Sequence, residues 1–251
     1  MSPRRRAMFA VLAAIAVLVA GGLAVRAALR AEPLRVPDQD KPGVVLLVPG
    51  YGGGTDGLDR LAAAIRAAGR TASVVAMPDG GTGDLGKQAD TLDDAATEAL
   101  RRAPSVDVIG YSAGGVVARL WVQRHDGVHK ARRVVTLGSP HQGARLAAAG
   151  AAGLPGACPA ACQQLAPGST LLAELEEPVP DPPQWLSIWT EQDQTVVPPD
   201  SARLPGAVDV DIQQACPGRD VSHGDLPTDD YVTGLVLDAI GTAPIGPAPP
   251  C

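Results

Sequence analysis

Short runs of uniformly apolar, often β-branched residues alternate along this chain with longer stretches whose apolar positions recur every three or four residues. "GVVLLVPG" at 43–50 is continuous and ends in Pro-Gly, the pattern of a strand buried on both faces. Residues 55–70 follow at helical spacing, with Leu58, Leu61, Ile65 and Ala68 on one face and Gly69 closing it. A second apolar run at 71–78 predicts a strand, and 84–103 predicts a helix. "SVDVIG" at 105–110 predicts a third strand, followed by a helix over 113–125 that stops at Asp126-Gly127. Further strands are predicted within 131–140, 184–193 and 207–213. A last helix covers roughly 228–240, capped by Thr228 and ended by Gly241. Strands alternating with helices imply parallel strands joined by helical crossovers. The expected fold class is therefore α/β, a mostly parallel, doubly wound sheet with helices on both faces.

Two stretches break this rhythm. Residues 144–183 are rich in Ala, Gly and Pro and lack strong periodicity, which predicts a small cap inserted over a site. The tail 241–251 is proline-rich and predicted irregular. At the other end, Arg4, Arg5 and Arg6 precede an uncharged stretch from Ala7 to Val25, which as a helix would approach the ~30 Å hydrocarbon thickness of a bilayer. Residues 1–30 thus read as a signal peptide cleaved near Val25-Arg26-Ala27 or, favoured by length, as an uncleaved signal anchor. Residues 31–42 read as a linker and 43–240 as the folded domain. No internal repeat is visible.

Charge and cysteine use agree with export. Residues 1–31 carry five basic and no acidic side chains, leaving 16 basic against 27 acidic, net −11, beyond them. An acidic domain repels nucleic acid, which excludes that class of partner. Cys158, Cys162, Cys216 and Cys251 all lie beyond the apolar segment, and an even number in an exported chain suggests disulfides. Three pairings are possible; Cys158–Cys162 with Cys216–Cys251 is favoured, the second tying down the tail. The expected location is outside the cytoplasm, anchored to the membrane by the N-terminal segment or secreted if it is cleaved. A monomer is expected.

The chemistry centres on "VIGYSAGG" at 108–115, which puts Ser112 where a buried strand turns into a helix. Side chains at 110 or 114 would crowd so tight a turn, hence Gly110 and Gly114. The helix N-terminus beneath the serine favours developing negative charge. A serine nucleophile needs a base on the same sheet edge, and His141 and His223 both qualify. His125 and His129 fall in a polar turn and read as solvated. Asp193 ends the fifth strand at that edge, with Glu191 and Asp200 as competitors. The order Ser112, Asp193, His223 is the serine–acid–histidine order of a nucleophile-elbow hydrolase, which leaves His141 the weaker base. Oxyanion donors are expected from the backbone N–H of Ala113 and, in the glycine turn "PGYGGG", of Tyr51. That glycine run lacks the Lys-Ser/Thr of a phosphate loop. No cofactor or metal is called for.

"PGYGGG", "GYSAGG", "LGSPHQG", "DQTVVP" and "SHGDL" occur in the order found in secreted bacterial lipases of the α/β-hydrolase superfamily, which the chain resembles over roughly 43–240. The resemblance implies the α/β-hydrolase fold, a Ser112–Asp193–His223 triad, Tyr51 and Ala113 as oxyanion donors, and a structural role for His141. It also departs from many relatives, which have His-Gly where this chain has Pro49-Gly50. The expected function is hydrolysis of carboxylic esters, of lipids or small molecules, through an acyl-enzyme. Acyl transfer or amide hydrolysis by the same triad is the alternative within enzymes, and a silent membrane-tethered binding module the alternative outside them.

Overall fold

The computed structural model describes residues 35–152, 158–175 and 177–251, together with 5, 9, 13–19 and 21–22. It divides into two units, Met1–Arg35 and Val36–Cys251. In the first, residues 13–19 are helical. The expected signal or anchor falls largely outside the described residues. No helix among the described residues is long and apolar enough to cross a membrane, so the anchor reading gains no support here.

The second unit is built on six strands: β1 (Val44–Val48), β2 (Ala72–Val74), β3 (Val106–Tyr111), β4 (Ala131–Leu137), β5 (Gln184–Trp189) and β6 (Val208–Asp211). They pair in the order β2-β1-β3-β4-β5-β6, every pairing parallel. The main crossovers are α1 (Asp56–Ala67), α2 (Leu85–Leu100) and α3 (Ala113–Arg124), and α8 (Asp230–Ala239) follows the last strand. One face packs Leu46, Val48, Val106 and Val108 against Leu85 and Leu92 of α2 and Val117 and Trp121 of α3. The other packs Val45, Leu47, Ile109 and Val135 against Leu58, Leu61 and Ile65 of α1 and Val232 and Val236 of α8. Alternate residues of β1 therefore enter opposite layers, which is why its sequence is apolar without alternation. Parallel strands under helices on both faces form the expected α/β-hydrolase sheet.

Several expectations on extent are corrected. The second strand covers only 72–74, because Pro78 opens a short 3₁₀ turn, Pro78–Gly81, whose Asp79 and Gly80 are left-handed. The last helix is capped by Asp229 rather than Thr228: the Asp229 carboxylate accepts the Val232 N–H. The stretch 144–183 lacks strong periodicity in sequence yet holds helices. Its described residues form three short helices, α4 (Arg145–Ala152), α5 (Ala160–Gln164) and α6 (Thr170–Ala173), whose Ala161, Leu165 and Leu171 join the core on the α3 side. One further short helix, α7 (Ile212–Ala215), follows β6.

The sheet is clamped at the N-terminal ends of its strands by buried charge. Arg132 Nε and Nη2 lie 3.0 and 2.7 Å from the two oxygens of Asp107, and Arg70 Nη2 lies 2.7 Å from Asp107 Oδ2. The Arg132 guanidinium also donates to the carbonyls of Gln39, Ile240 and Gly241, and Arg133 Nε to that of Ala239. Cations at the C-terminus of α8 meet its unpaired carbonyls, which is how Arg132 and Arg133 can both be buried with one buried carboxylate, that of Asp107, bonded to Arg132. The tail is irregular as expected, and it is held. Cys216–Cys251 and Cys158–Cys162 are both bonded, in the favoured pairing, and Tyr231 Oη donates to the Pro249 carbonyl at 2.6 Å. The opposite edge, where the strands end, is left for chemistry.

Candidate active site

Ser112 stands between β3 and α3 with φ 53° and ψ −125°, outside the usual regions for a residue with a Cβ. The surrounding glycines make that turn possible. A Cβ at 110 would lie 2.5 Å from the Gly114 carbonyl oxygen, and one at 114 would lie 2.2 Å from that of Val48. Both positions were expected. Two more were not visible in the motif. A Cβ at 50 would lie 2.9 Å from Ser112 Cβ, and one at 115 would lie 2.0 Å from Ser139 Oγ. The Ser112 N–H is fixed by the Leu137 carbonyl at 2.8 Å. Among the described residues Ser112 Oγ has no hydrogen-bond partner, and serine–histidine bonds in substrate-free enzymes are often long.

The acid and the base meet. Asp193 Oδ2 is 2.6 Å from His223 Nδ1, both side chains being buried, while Glu191 and Asp200 are exposed. Asp193 Oδ1 accepts the N–H groups of Thr195 and Val196 at 2.8 and 2.7 Å, so the carboxylate cannot swing away from the imidazole. The loop after β5 also holds the histidine loop directly. Thr190 Oγ1 donates to the Val221 carbonyl at 2.7 Å, and Gln192 Oε1 accepts the Val221 N–H at 2.8 Å. The pair is tied to the serine through one peptide. A Cβ on Gly138, whose φ is +54°, would lie 3.1 Å from His223 Nδ1 and 3.3 Å from Asp193 Oδ2, and the neighbouring Leu137 carbonyl holds the Ser112 N–H.

Tyr111, which the motif offered only as the x before serine, lies beneath the histidine. Its ring centroid is 5.1 Å from that of His223, and its hydroxyl donates to the His223 carbonyl at 3.2 Å. Burial first, then the carboxylates of Asp193 and Asp225, push the Tyr111 phenol up to about 12, so it stays a donor. His141 is no base. It is buried, with Nε2 3.1 Å from Thr136 Oγ1, and burial with the Arg119 charge holds its imidazole well below the usual histidine range. His125 is not freely solvated either; its Nε2 lies 3.0 Å from Asp90. His129 is half-buried, with its Nδ1 shielded from solvent.

Tyr51 and Ala113 flank the serine as expected. The chain turns at Gly50–Gly53, where the Gly53 N–H donates to the Gly50 carbonyl at 3.1 Å and Gly52 takes φ +87°. Ala113 is the first residue of α3. Ser112 and Tyr51 open on a cavity of about 260 Å³, walled by Pro140, Ala144, Leu146, Leu165 and Val196. Cys162 also lines it, so α4 and α5 of the inserted stretch form part of the wall. Sequence reasoning had placed a cap here without its lining residues, since Ala and Leu carry no chemical signature. A larger cavity, about 380 Å³, lies under the C-terminal tail against Leu186, Val210 and Leu235, and none of the site residues lines it. Among the described residues no group of three or more His, Cys, Asp or Glu side chains is arranged to hold a metal.

Solved structures with this fold include Aspergillus fumigatus lipase B, with a TM-score of 0.69 and 16% identity over 83% of this chain. The chain spans about half, 54%, of that protein's length. The mature Bacillus licheniformis lipase BlEst2 matches with a TM-score of 0.64 and 18% identity, over 84% of this chain and 96% of that one. No curated protein matches the sequence. The α/β-hydrolase fold expected from the five motifs is borne out by these likenesses. The family model described as palmitoyl protein thioesterase matches residues 45–173, just over half of the chain, and stops short of Asp193 and His223. With Ser112 and the glycine turn at Tyr51 both inside that span, the chain belongs to the palmitoyl protein thioesterase family.

Proposed function

We propose that this protein cleaves acyl esters or thioesters through an acyl-enzyme on Ser112, with His223 as base and Asp193 as its orienting acid. The observation that carries the reading is the buried Asp193–His223 pair, 2.6 Å apart, beside a strained serine that opens on an apolar cavity. His223 Nε2 takes the serine proton as Oγ attacks the carbonyl carbon. The N–H groups of Tyr51 and Ala113 receive the oxyanion, each contributing about 3 kcal/mol to the barrier. On collapse the ester bond breaks and His223 returns the proton to the departing alcohol or thiol. Water then attacks the acyl-serine by the same route and releases the acid.

The cavity sets the acyl group. At ~30 Å³ for each group the size of a water or a methylene, about 260 Å³ takes roughly nine. The reading is therefore an acyl chain of medium length inside the protein, with the far part of a palmitoyl chain outside the wall. The two disulfides and the Arg4–Arg6 cluster before the apolar stretch support action in an oxidising compartment outside the cytoplasm.

The test uses the full chain, kept oxidised, beside Ser112→Ala, on p-nitrophenyl esters from acetate to palmitate and on an acyl thioester. Expected are serine-dependent turnover and a maximum near the octanoate. Turnover that survives in Ser112→Ala refutes the assignment, and a maximum at palmitate refutes the chain-length reading.

A further inference from the structure

The turn that carries Tyr51 leans on a second, unrelated loop. Asp79, Gly80 and Gly81, between β2 and α2, take φ values of 52°, 57° and 70°, three left-handed residues in succession. The arch they form runs into the Gly50–Gly53 turn at backbone distance. A Cβ on Gly81 would lie 2.9 Å from the Gly53 nitrogen and 3.0 Å from the Gly50 oxygen, the two atoms of the hydrogen bond that closes the turn. The fit is reciprocal, since a Cβ on Gly53 would lie 2.9 Å from the Gly80 carbonyl oxygen. On its far side the turn rests on the nucleophile, through the 2.9 Å approach of a Gly50 Cβ to Ser112 Cβ. The arch is itself braced from behind: the Thr82 carbonyl accepts the Ala161 N–H at 3.2 Å, and Gln88 Nε2 donates to the Gly83 carbonyl at 3.1 Å.

We propose that Gly81 is a positioning residue for ester cleavage, holding the Tyr51 turn at the height above Ser112 where its N–H meets the oxyanion. The inference rests on the reading of Ser112 and Tyr51 given above. Gly81 is buried against the turn, so any side chain there must push the closing hydrogen bond toward the serine or break it. Neither Gly80 nor Gly81 lines the acyl cavity, and of the turn only Tyr51 does, so the main loss is expected where the transition state loses a donor rather than in binding of the chain.

Gly80 supplies an internal control. It shares the left-handed backbone, but its Cβ position meets nothing within 4 Å. Gly80→Ala and Gly81→Ala thus carry the same backbone strain, and only the second carries the contact. The experiment measures kcat and KM on p-nitrophenyl octanoate for the wild type, both variants and Ser112→Ala, with thermal melting of each. Gly81→Ala is expected to lower kcat at least about tenfold with KM within about twofold, since losing one oxyanion donor outright costs about 10²–10³. Gly80→Ala is expected to lower Tm by the backbone strain alone, less than Gly81→Ala, and to keep kcat within about twofold of wild type. Equal kcat in the two variants, or a loss confined to KM, overturns the positioning role. If Gly81→Ala does not fold, Gly53→Ala presses the same contact from the other side, and an unchanged kcat there overturns it equally. Turnover that persists in Ser112→Ala would sink the underlying esterase reading instead.

Discussion

Asp193→Asn isolates what the acid does, because the structure dictates how the new amide must sit. Asp193 Oδ1 accepts two backbone N–H groups, from Thr195 at 2.8 Å and Val196 at 2.7 Å. An asparagine keeps both bonds only if its oxygen takes the Oδ1 place. Its NH₂ then faces His223 Nδ1 at the position where Oδ2 now sits, 2.6 Å away. Two donors cannot share that contact, so the imidazole must carry its proton on Nε2, the nitrogen that should receive the serine proton. Base catalysis and the stabilisation of the imidazolium are lost together. In a serine triad this exchange lowers kcat by about 10⁴, which at 1.36 kcal/mol per decade is about 5.4 kcal/mol of barrier. The fold should tolerate it, because the loop keeps its two anchors. Asp193→Ala should differ in that respect, since the buried Val196 N–H then loses its acceptor at a cost of ~1–3 kcal/mol. The assay is kcat and KM on p-nitrophenyl octanoate between pH 5 and 9, with thermal melting. Asn should show the full kcat loss with KM and Tm near wild type, and Ala should lose both kcat and Tm. An asparagine variant that retains more than a tenth of wild-type kcat would refute the role of Asp193.

Ala144→Leu puts three carbons into the acyl cavity, about 90 Å³ by the same ~30 Å³ measure; the chain-length optimum should move about three carbons shorter, and an unmoved optimum would show that the chain lies elsewhere. Cys251→Ser frees a loop with 35 residues of separation, worth about 4 kcal/mol of chain entropy, so Tm should fall by about 10 °C with esterase activity at 25 °C unchanged. His141, held neutral by burial and Arg119, cannot take up the proton that the unfolded chain binds below about pH 6.5. The stability it contributes is therefore whole above that pH and falls by up to about 1.4 kcal/mol per unit as pH drops. The gap in urea stability between wild type and His141→Gln should thus shrink from pH 7 to pH 5, and a constant gap would contradict a neutral native imidazole.

The sheet was legible because parallel strands buried on both faces leave unbroken apolar runs. "VVLLV" and "VDVIGY" needed only their length and their bounding Pro-Gly and Gly-Tyr-Ser to be assigned. The serine, acid and histidine were legible for a related reason. In such a sheet every strand's C-terminal end lies on one edge, so chain order favours His223 over His141, while Asp193 stands apart from Glu191 and Asp200 only by its burial and its contact with the imidazole. What stayed hidden was set by tertiary contact. Arg132 and Arg133 sit in a strand with no exposure, and nothing local announces the Asp107 carboxylate or the helix end that balances them. Tyr111 reads as a spacer until the histidine loop folds over it. The cap helices escaped because pieces of four to eight residues have too few turns to show a period.

The sparseness of large side chains explains how the site is made. With one Phe, three Trp and three Tyr in 251 residues, few bulky groups are available to wedge loops into place. The chain instead uses glycines to bring backbone close to its neighbours: Gly114 onto the Val48 carbonyl and Gly81 onto the Gly50–Gly53 hydrogen bond, Gly115 onto the Ser139 side chain and Gly138 onto those of Leu226, His223 and Asp193. At 114, 115 and 81 the approach is closer than a Cβ allows, and groups held at that distance have almost no freedom to shift. Glycine costs about 0.5–1 kcal/mol of chain entropy per position relative to Ala, and the strands beneath offset it with two buried faces and the arginine clamp. The division of labour has a consequence for substitution. Truncating a core leucine leaves a cavity that neighbours can partly fill, whereas adding one methyl at 114 drives a carbon to 2.2 Å from a carbonyl that belongs to the central sheet and cannot yield. In this protein several of the positions least tolerant of change are therefore glycines around the serine, and Gly43, whose Cβ would lie 1.7 Å from the Ser105 carbonyl oxygen, is another at the far end of the sheet.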